Sequence, residues 1–137
     1  MTRITRVEIH EFEFDAQNLG QLTGAVSIGA FGYAKGAVSR LPKYAVRIET
    51  EDGCRGEYVT HWVGSAAALG QTRMLAPKLI GRHAEEREGI YDDLKRELRQ
   101  FDHMGHGALD IALWDWQGRQ LGCSISTLLG GYRKRLP

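Results

Sequence analysis

Long apolar runs, paired cysteines and a marked excess of either charge are all missing from this sequence. No stretch approaches the roughly 18 apolar residues of a membrane span. The basic start, with Arg3 and Arg6, has no apolar stretch behind it, so no signal or transit peptide fits. The two cysteines, Cys54 and Cys123, form no C-x-x-C motif and predict unpaired thiols in a reducing cytoplasm. We therefore expect no membrane partner, and the net charge of +1 gives no indication of a nucleic-acid partner.

The composition is that of one ordinary globular domain. Of 137 residues, 42% are hydrophobic and 26% are charged, which argues against collagen-like, disordered and disulfide-scaffold chains. The length fits a single domain. It is too short for a large barrel enzyme, which needs about 250 residues.

The first half of the sequence has the pattern of β-strands. Residues 4–14 predict a strand whose apolar positions change face half-way, which indicates a bulge near His10–Glu11. A second strand ends at a tight turn made by Asp52 and Gly53, and a third returns from Cys54 to Thr60. Together these segments predict an antiparallel meander of three strands.

Between the first two strands, residues 15–42 are rich in glycine and predict a long loop. Residues 16–48 contain no acid at all. The same stretch contains four basic residues: Lys35, Arg40, Lys43 and Arg47. In a chain of balanced charge, this local excess predicts a segment that attracts an anion.

The second half has helical periodicity. Ser65 can cap a first helix, which Pro77 interrupts and Gly81 ends. A second helix, from near Ala84, has an apolar stripe made by Ile90, Leu94, Leu98 and Phe101. A third, from about Gly107 to Gln120, is apolar around nearly its whole circumference and is expected to be buried on all sides. Inside it, Gly118 predicts a close approach of another backbone. A last short helix is predicted over Leu121–Gly131.

The third helix also carries a family resemblance. The run LDIALWDWQGR, Leu109 to Arg119, resembles the helix signature of the mandelate racemase and muconate-lactonizing enzymes of the enolase superfamily. The likeness extends to residues 75–82, to Gly56-Glu57 and to 124–130. Two positions depart from the family pattern, because Gly105 stands where alanine is usual and Trp116 where a small or aliphatic residue is usual.

The resemblance implies an α+β fold with a three-stranded antiparallel meander followed by three to four helices. It identifies residues 1–131 as an N-terminal capping domain, or lid, and 132–137 as the start of a linker. The family's TIM barrel, with its bases and magnesium ligands, has no counterpart in this chain, so we expect a fragment or truncated product that is inactive alone. No catalytic or metal-binding residue can be assigned in this chain.

The resemblance also implies the chemistry of the full enzyme. Such enzymes use Mg²⁺ and abstract the proton α to a carboxylate, for racemisation, epimerisation, cycloisomerisation or loss of water from an acid sugar. The family's lid loops correspond to residues 15–42 and to about Thr60–Gly64. By position, the residues expected to bind substrate are Phe31, Tyr33, Lys35, His61 and Trp62. A polar lid favours an acid sugar or hydroxy acid, whereas the aromatic pair favours an apolar substrate.

Partners follow from the missing barrel. A capping domain without it exposes apolar surface, so we expect the C-terminal barrel domain as a partner and a homo-oligomer. The alternative is a stand-alone anion-binding or protein-assembly module without catalysis. The coding sequence after Pro137 discriminates between the two.

Three further groups admit a functional interpretation. His103 and His106 are three apart and could form a metal pair, although a polar turn with capping contacts is the simpler expectation. Asp110 and Asp115 lie about 140° apart on a helix and cannot act together. Asp115 and Arg119 have the spacing of an ion pair.

Overall fold

In the described residues, three antiparallel strands in the order β1-β2-β3 form a sheet: β1 (Ile4–Gln21), β2 (Phe31–Thr50) and β3 (Arg55–Val59). Four helices follow in the same part of the chain: α1 (Ser65–Leu75), α2 (Arg87–Glu97), α3 (His106–Leu121) and α4 (Ile125–Leu128), with a 3₁₀ turn at Ala76–Leu79. The computed structural model describes residues 1–22, 30–62, 65–133 and 135. The predicted α+β class, with its meander and helices, is confirmed.

The predicted loop over 15–42 is wrong for most of its length. Residues 15–21 continue β1 and residues 31–42 begin β2, while 23–29 lie outside the described residues. The glycines that indicated a loop are paired instead: Gly20 lies opposite Gly32 in the register. A Cβ added at Gly20 would lie 2.8 Å from the Cβ of Ala34. Glycine at this position allows a close approach between the strands, and pairing overrides the low strand propensity.

The bulge predicted near His10–Glu11 is also wrong. The register between β1 and β2 runs unbroken from Arg6 to Gln17, and its irregularities lie on either side of that stretch. The apolar residues change face because the surroundings of the sheet change. Val7 packs against the helix-covered core, whereas Phe12 is 41% exposed and lies on the opposite face of the strand.

The turn between β2 and β3 confirms the Asp52-Gly53 prediction. Gly53 has φ of +81°, which glycine adopts without strain. The carboxylate of Asp52 accepts hydrogen bonds from the Thr50 hydroxyl at 2.6 Å and from the Cys54 amide at 3.1 Å. The strand that follows is therefore held in register from its first residue.

The helix boundaries match the sequence signals at α1 and shift at α2. The 3₁₀ turn contains Pro77, and Gly81 has φ of +82°. α2 begins at Arg87, three residues after the predicted start. Ile90, Leu94 and Leu98 are buried as predicted. Phe101 is not part of the stripe, because it lies beyond the last helical residue and is 56% exposed.

α3 packs along β3 and is buried on one wide face. Leu109, Ala112, Leu113 and Trp116 are almost fully buried, but Ile111 is 36% exposed. The expectation that this helix is buried on all sides is therefore wrong. The exposed Ile111 side chain lines a groove at the surface.

Glycines account for the closeness of this packing and for one departure from the family pattern. A Cβ at Gly56 would lie 2.0 Å from the carbonyl oxygen of Ala112. A Cβ at Gly105 would lie 2.4 Å from the carbonyl oxygen of Ala68, so alanine does not fit there without movement. A Cβ at Gly118 would lie 2.8 Å from the carbonyl oxygen of Cys123, which confirms the predicted close approach of another backbone segment.

Trp116, the other departure, has a polar partner in the core. Its indole N–H donates to the Thr50 hydroxyl at 2.9 Å, as buried indoles generally require. A second buried network joins β2 to α1, because the Tyr44 and Thr72 hydroxyls are 2.8 Å apart. Thr72 in turn lies 2.8 Å from the carbonyl oxygen of Ala68. The core is thus specified by polar contacts as well as by burial.

Both cysteines are free thiols, as predicted. Burial raises the pKa of the Cys54 thiol, which keeps it protonated near neutral pH. Among the described residues, no helix is long and apolar enough to cross a membrane.

Candidate functional site

The two segments proposed from sequence to cover a substrate meet in space. The ring of Phe31, at the start of β2, lies edge-on to Trp62 with centroids 4.9 Å apart. The imidazole of His61 is stacked beside the same indole at 5.4 Å. Three of the five residues predicted to bind substrate therefore form one cluster, which we call the aromatic cluster (Phe31, His61 and Trp62).

This contact requires β2 to bend back on itself. Tyr44 lies thirteen positions after Phe31, a distance of about 43 Å in a straight strand. Yet the Thr60 amide donates to the Tyr44 carbonyl at 3.0 Å, and Trp62 is only two residues further on. A straight β2 would leave Phe31 out of reach, so the outer part of the β1–β2 hairpin curls over toward the end of β3.

The remaining two predicted residues lie near the aromatic cluster along the chain but outside its ring contacts. Tyr33 is paired with Leu19 across the strands and is 78% exposed, and no aromatic contact is found for it among the described residues. Lys35 is exposed in an irregular stretch of β2, where residues 34–37 stand opposite the single residue Asn18.

Half of the positive charge of the acid-free stretch 16–48 is neutralised by acids on neighbouring strands. Arg47 bonds to Glu57 at 2.7 Å, and this guanidinium holds the pKa of the Glu57 carboxyl below its ordinary value. Arg40 lies 3.5 Å from Asp15 on β1. Strand pairing brings these acids alongside, which a count along the sequence could not register.

Of the four bases, Lys35 alone lacks an acidic or aromatic partner within the described part of the chain. Lys43 lies over the ring of Phe14, with its ammonium 4.7 Å from the centroid, and the two arginines are ion-paired. The expectation of a generally basic lid is therefore corrected, because two of the four charges are ion-paired and, in the described residues, Lys35 is the one base with neither kind of partner. That cation is one of the residues predicted from sequence.

A groove of about 230 Å³ lies next to the aromatic cluster. The residues that line it include Thr60, His61, Met104 and Ile111. Its walls are mostly apolar, and Met104 is 43% exposed. Sequence reasoning missed this groove, because its residues come from four separate parts of the chain: Tyr44, residues 58–61, Ala68 and residues 104–111.

Polar groups that sequence reasoning did not bring together lie between α2 and α3. The guanidinium of Arg87 is 3.5 Å from the centroid of the Trp114 ring and 3.7 Å from Asp110. His106 is buried with its ring 4.5 Å from Tyr91. The signal that could have found this interface is the spacing of His106, Asp110 and Trp114 along one side of a helix.

Burial dominates the ionisation of these groups. It lowers the pKa of His106, with Lys95 and His103 acting in the same direction and Asp110 opposing them. Burial also raises the pKa of the Asp110 carboxyl, although the positive charge of Arg87 acts in the opposite direction. Both shifts favour neutral forms, as expected for groups withdrawn from water.

The predicted ion pair of Asp115 and Arg119 is confirmed at 2.9 Å. The same carboxylate accepts the backbone amide of Glu57 at 2.8 Å. It therefore fastens α3 to the edge of β3 and does not act together with Asp110.

A magnesium ion does not fit the part of the chain that the structure describes. Mg²⁺ requires several oxygen ligands, generally carboxylates among them. No group of three or more histidine, cysteine, aspartate or glutamate side chains there is placed to hold a metal ion. His103 and His106 therefore form no metal centre among those residues.

Known proteins resemble this chain over most of its length. The family model for the N-terminal domain of mandelate racemase / muconate lactonizing enzyme matches residues 25–130. The 3,6-anhydro-alpha-L-galactonate cycloisomerase of Streptomyces coelicolor is 34% identical over 110 residues, which are 74% of this chain and 30% of that protein. Muconate cycloisomerase 1 of Rhodococcus opacus is 32% identical over 112 residues, again 74% of this chain and 30% of that protein.

A solved structure gives the same result. D-glucarate dehydratase from Agrobacterium tumefaciens, complexed with magnesium, superposes with a TM-score of 0.74 at 26% identity, over 96% of this chain and 33% of that chain. The chain thus spans about a third of the length of these relatives. The resemblance read from α3 is confirmed, and the chain belongs to the mandelate racemase/muconate lactonizing enzyme family of the enolase superfamily as its N-terminal domain.

Proposed function

We propose that this chain is the substrate-capping domain of a magnesium-dependent enolase-superfamily enzyme. The domain comprises residues 1–131, and 132–137 begin the linker to a C-terminal barrel. The full enzyme abstracts the proton α to the carboxylate of a small acid, as a racemase or epimerase, a cycloisomerase or an acid-sugar dehydratase. The observation that carries the capping role is the contact of Phe31 with Trp62, which joins the two lid segments at one place.

The catalytic groups belong to the barrel in this proposal. A carboxylate's α-proton is very weakly acidic, so its removal needs a strong base and stabilisation of the charge that develops. The described residues of this chain offer no magnesium site. What the domain supplies is closure over the substrate, which excludes water and adds contacts that select the substrate.

The substrate we favour is an acid sugar or hydroxy acid. Two of the three relatives named above act, by their names, on sugar-derived acids. Lys35 is exposed, and its ammonium is available to a carboxylate or to several hydroxyl groups. His61 and Trp62 add a polar and a stacking surface, while Phe31 and Tyr33 supply shape.

The barrel is the partner we propose for the groove. Met104 and Ile111 are apolar and exposed beside it, and contiguous exposed apolar surface generally marks an interface. A homo-oligomer in the cytoplasm remains our expectation for the full enzyme.

The first test separates the enzyme from a stand-alone module. An antibody raised against this chain should detect a protein about three times its 15.3 kDa in the source cells. A band at 15 kDa only would favour the module. The purified chain, supplied with Mg²⁺ and D-glucarate, should show no turnover, and activity that survives clean purification would refute the claim that catalysis needs the barrel.

The second test concerns the lid. In the full enzyme, Lys35→Gln should raise KM for an accepted acid sugar by about tenfold, since a charge-assisted bond contributes about 1.5 kcal/mol. Arg40→Gln is the matched control, because it removes a positive charge from the same strand at a side chain already paired with Asp15. Equal KM values for the two variants would exclude Lys35 from the substrate site.

A further inference from the structure

The hairpin that carries Phe31 and Lys35 contains a braced irregularity at a single asparagine. The register jumps from Gln17 opposite Val38 to Leu19 opposite Tyr33. Four residues of β2, 34–37, therefore stand opposite Asn18 alone. An insertion of this size bends the strand that contains it and increases its local twist. It lies between the straight part of the hairpin and the part that curls over.

The backbone on both sides of this irregularity has the left-handed conformation. Asn18 has φ of +57°, the only positive φ among the described residues other than glycine. Gly36, across from it, has φ of +80°. Asparagine and glycine are the residues that adopt this region with least strain, so the sequence suits the bend at both positions.

The Asn18 side chain ties the two strands together at the bend. Its Oδ1 accepts a hydrogen bond from the Gly36 amide at 2.9 Å. Two further contacts brace the same place: the Ser39 hydroxyl donates to the Leu19 carbonyl at 2.7 Å, and Ala34 lies close above Gly20. These contacts brace the four-residue insertion, in which Lys35 and Gly36 are exposed and Ala34 and Ala37 are half-buried.

Two predicted substrate residues depend on this bend. Lys35 lies inside the insertion, directly before Gly36, so the Asn18 bond fixes the backbone from which the ammonium projects. Phe31 lies beyond the insertion, and its contact with Trp62 at 4.9 Å exists only if the hairpin curls. The positions of Lys35 and Phe31 thus both depend on the hydrogen bond between Asn18 and Gly36.

We propose that Asn18 is a positioning residue of the lid, whose side-chain bond to the Gly36 amide sets the curl of the hairpin and thereby places Lys35 and Phe31 over the substrate. The placement of Phe31 against Trp62 is a property of the fold. The effect on substrate rests on the capping function proposed above. The two parts have separate readouts.

The first readout is ¹⁹F NMR of the full 137-residue chain labelled with 5-fluorotryptophan. The sequence has three tryptophans, so three signals are expected, and Trp62→Phe assigns one of them. Phe31→Leu removes the ring that faces Trp62 and gives the position of the signal without that contact. Asn18→Gly keeps the left-handed backbone but removes the acceptor, and should move the Trp62 signal toward that position.

The matched variants decide what the shift means. Asn18→Asp retains an acceptor and tolerates the same φ, so it should leave the signal where it is. Gln17→Ala changes the exposed neighbour outside the bond and should do the same. An unmoved Trp62 signal in Asn18→Gly would overturn the proposal.

The second readout is the split between KM and kcat in the full enzyme with an accepted acid sugar and Mg²⁺. Asn18→Gly should raise KM about fivefold with kcat within twofold of the parent, since one neutral hydrogen bond is lost, and Asn18→Asp should restore KM. A shifted NMR signal with an unchanged KM would overturn the positioning role. An enzyme inactive on every acid sugar would instead count against the proposed function, while the NMR result still tests the curl.

Discussion

Replacing Gly56 with alanine should damage the fold severely, although the change adds only one methyl group. The added Cβ would lie 2.0 Å from the Ala112 carbonyl oxygen and 2.6 Å from both the amide nitrogen and the Cβ of Trp116. Two of these are backbone atoms, which cannot rotate away. To reach an ordinary contact of about 3.4 Å, α3 would have to withdraw from β3 by about 1.4 Å.

The cost can be estimated from that movement. A gap of 0.5–1 Å already forfeits about a quarter to a half of the attraction between packed atoms, and overpacked cores lose about 1–3 kcal/mol. We expect a loss of about 3 kcal/mol. For a domain of this size, that corresponds to a fall of about 10 °C in Tm. The Asp115 bond to the Glu57 amide, 2.8 Å in the parent, would lengthen as well.

The assay is urea denaturation followed by tryptophan fluorescence, with calorimetry for Tm. Gly70→Ala is the matched control, because nothing lies within 4 Å of its added Cβ and the residue is exposed in α1. This change should stabilise the protein by about 0.5–1 kcal/mol. A Gly56→Ala variant within 0.5 kcal/mol of the parent would refute the close packing of α3 on β3.

Three other outcomes follow from single groups. Tyr44→Phe should lower the free energy of unfolding by about 1–2 kcal/mol, because the hydroxyl bonded to Thr72 is buried. His106 has a pKa lowered by burial, so the unfolded chain binds its proton more readily. The contribution of His106 to the free energy of unfolding is therefore complete above pH 6.5 and is lost as the pH falls below that value. The variant His106→Gln should remove this decline. Asp115→Asn should cost about 1–2 kcal/mol, since it weakens the bonds to the Glu57 amide and to Arg119.

Each of these has a result that would contradict it. A Tyr44→Phe variant as stable as the parent would mean that the hydroxyl contributes nothing. A pH profile unchanged by His106→Gln would assign the acid sensitivity to other groups. His103→Gln, at an exposed position, should reduce the acid sensitivity only slightly, because the burial of His106, the main cause of its lowered pKa, remains. An Asp115→Asn variant as stable as the parent would show that the negative charge of Asp115 is not needed to hold β3 against α3.

The helical half was predictable because its signals are local. Pro77 and Gly81 act within a few residues of themselves, and both produced the expected helix ending. The stripe of Ile90, Leu94 and Leu98 is buried as its spacing requires. The prediction that Phe101 belongs to this stripe was wrong, because periodicity does not indicate where a helix ends.

The long hairpin was not predictable from local signals. Its glycines lower strand propensity wherever they stand, and only pairing between Gly20 and Gly32 makes them suitable. The ion pairs of this hairpin were not predictable from local sequence either. Arg40 and Arg47 belong to an acid-free stretch of sequence, yet neighbouring strands provide their carboxylate partners. Contacts between distant residues decide both features.

The candidate site was predicted in part. Phe31, His61 and Trp62 were chosen by their positions in two segments, and the structure brings them into one cluster. Lys35 stands apart from the other bases only once their ion pairs are known. The groove beside Met104 and the bond from Gly36 to Asn18 depend on three-dimensional packing and have no signature in sequence.

If two segments of this domain cover the substrate of a larger enzyme, substrate binding must protect both of them from exchange with solvent. We expect hydrogen–deuterium exchange of the full enzyme with Mg²⁺ to slow at residues 30–36 and 58–62 when an accepted acid sugar is added. Exchange in α2 (Arg87–Glu97), which packs against α3, should not change. Turnover without protection at either segment would refute the capping role.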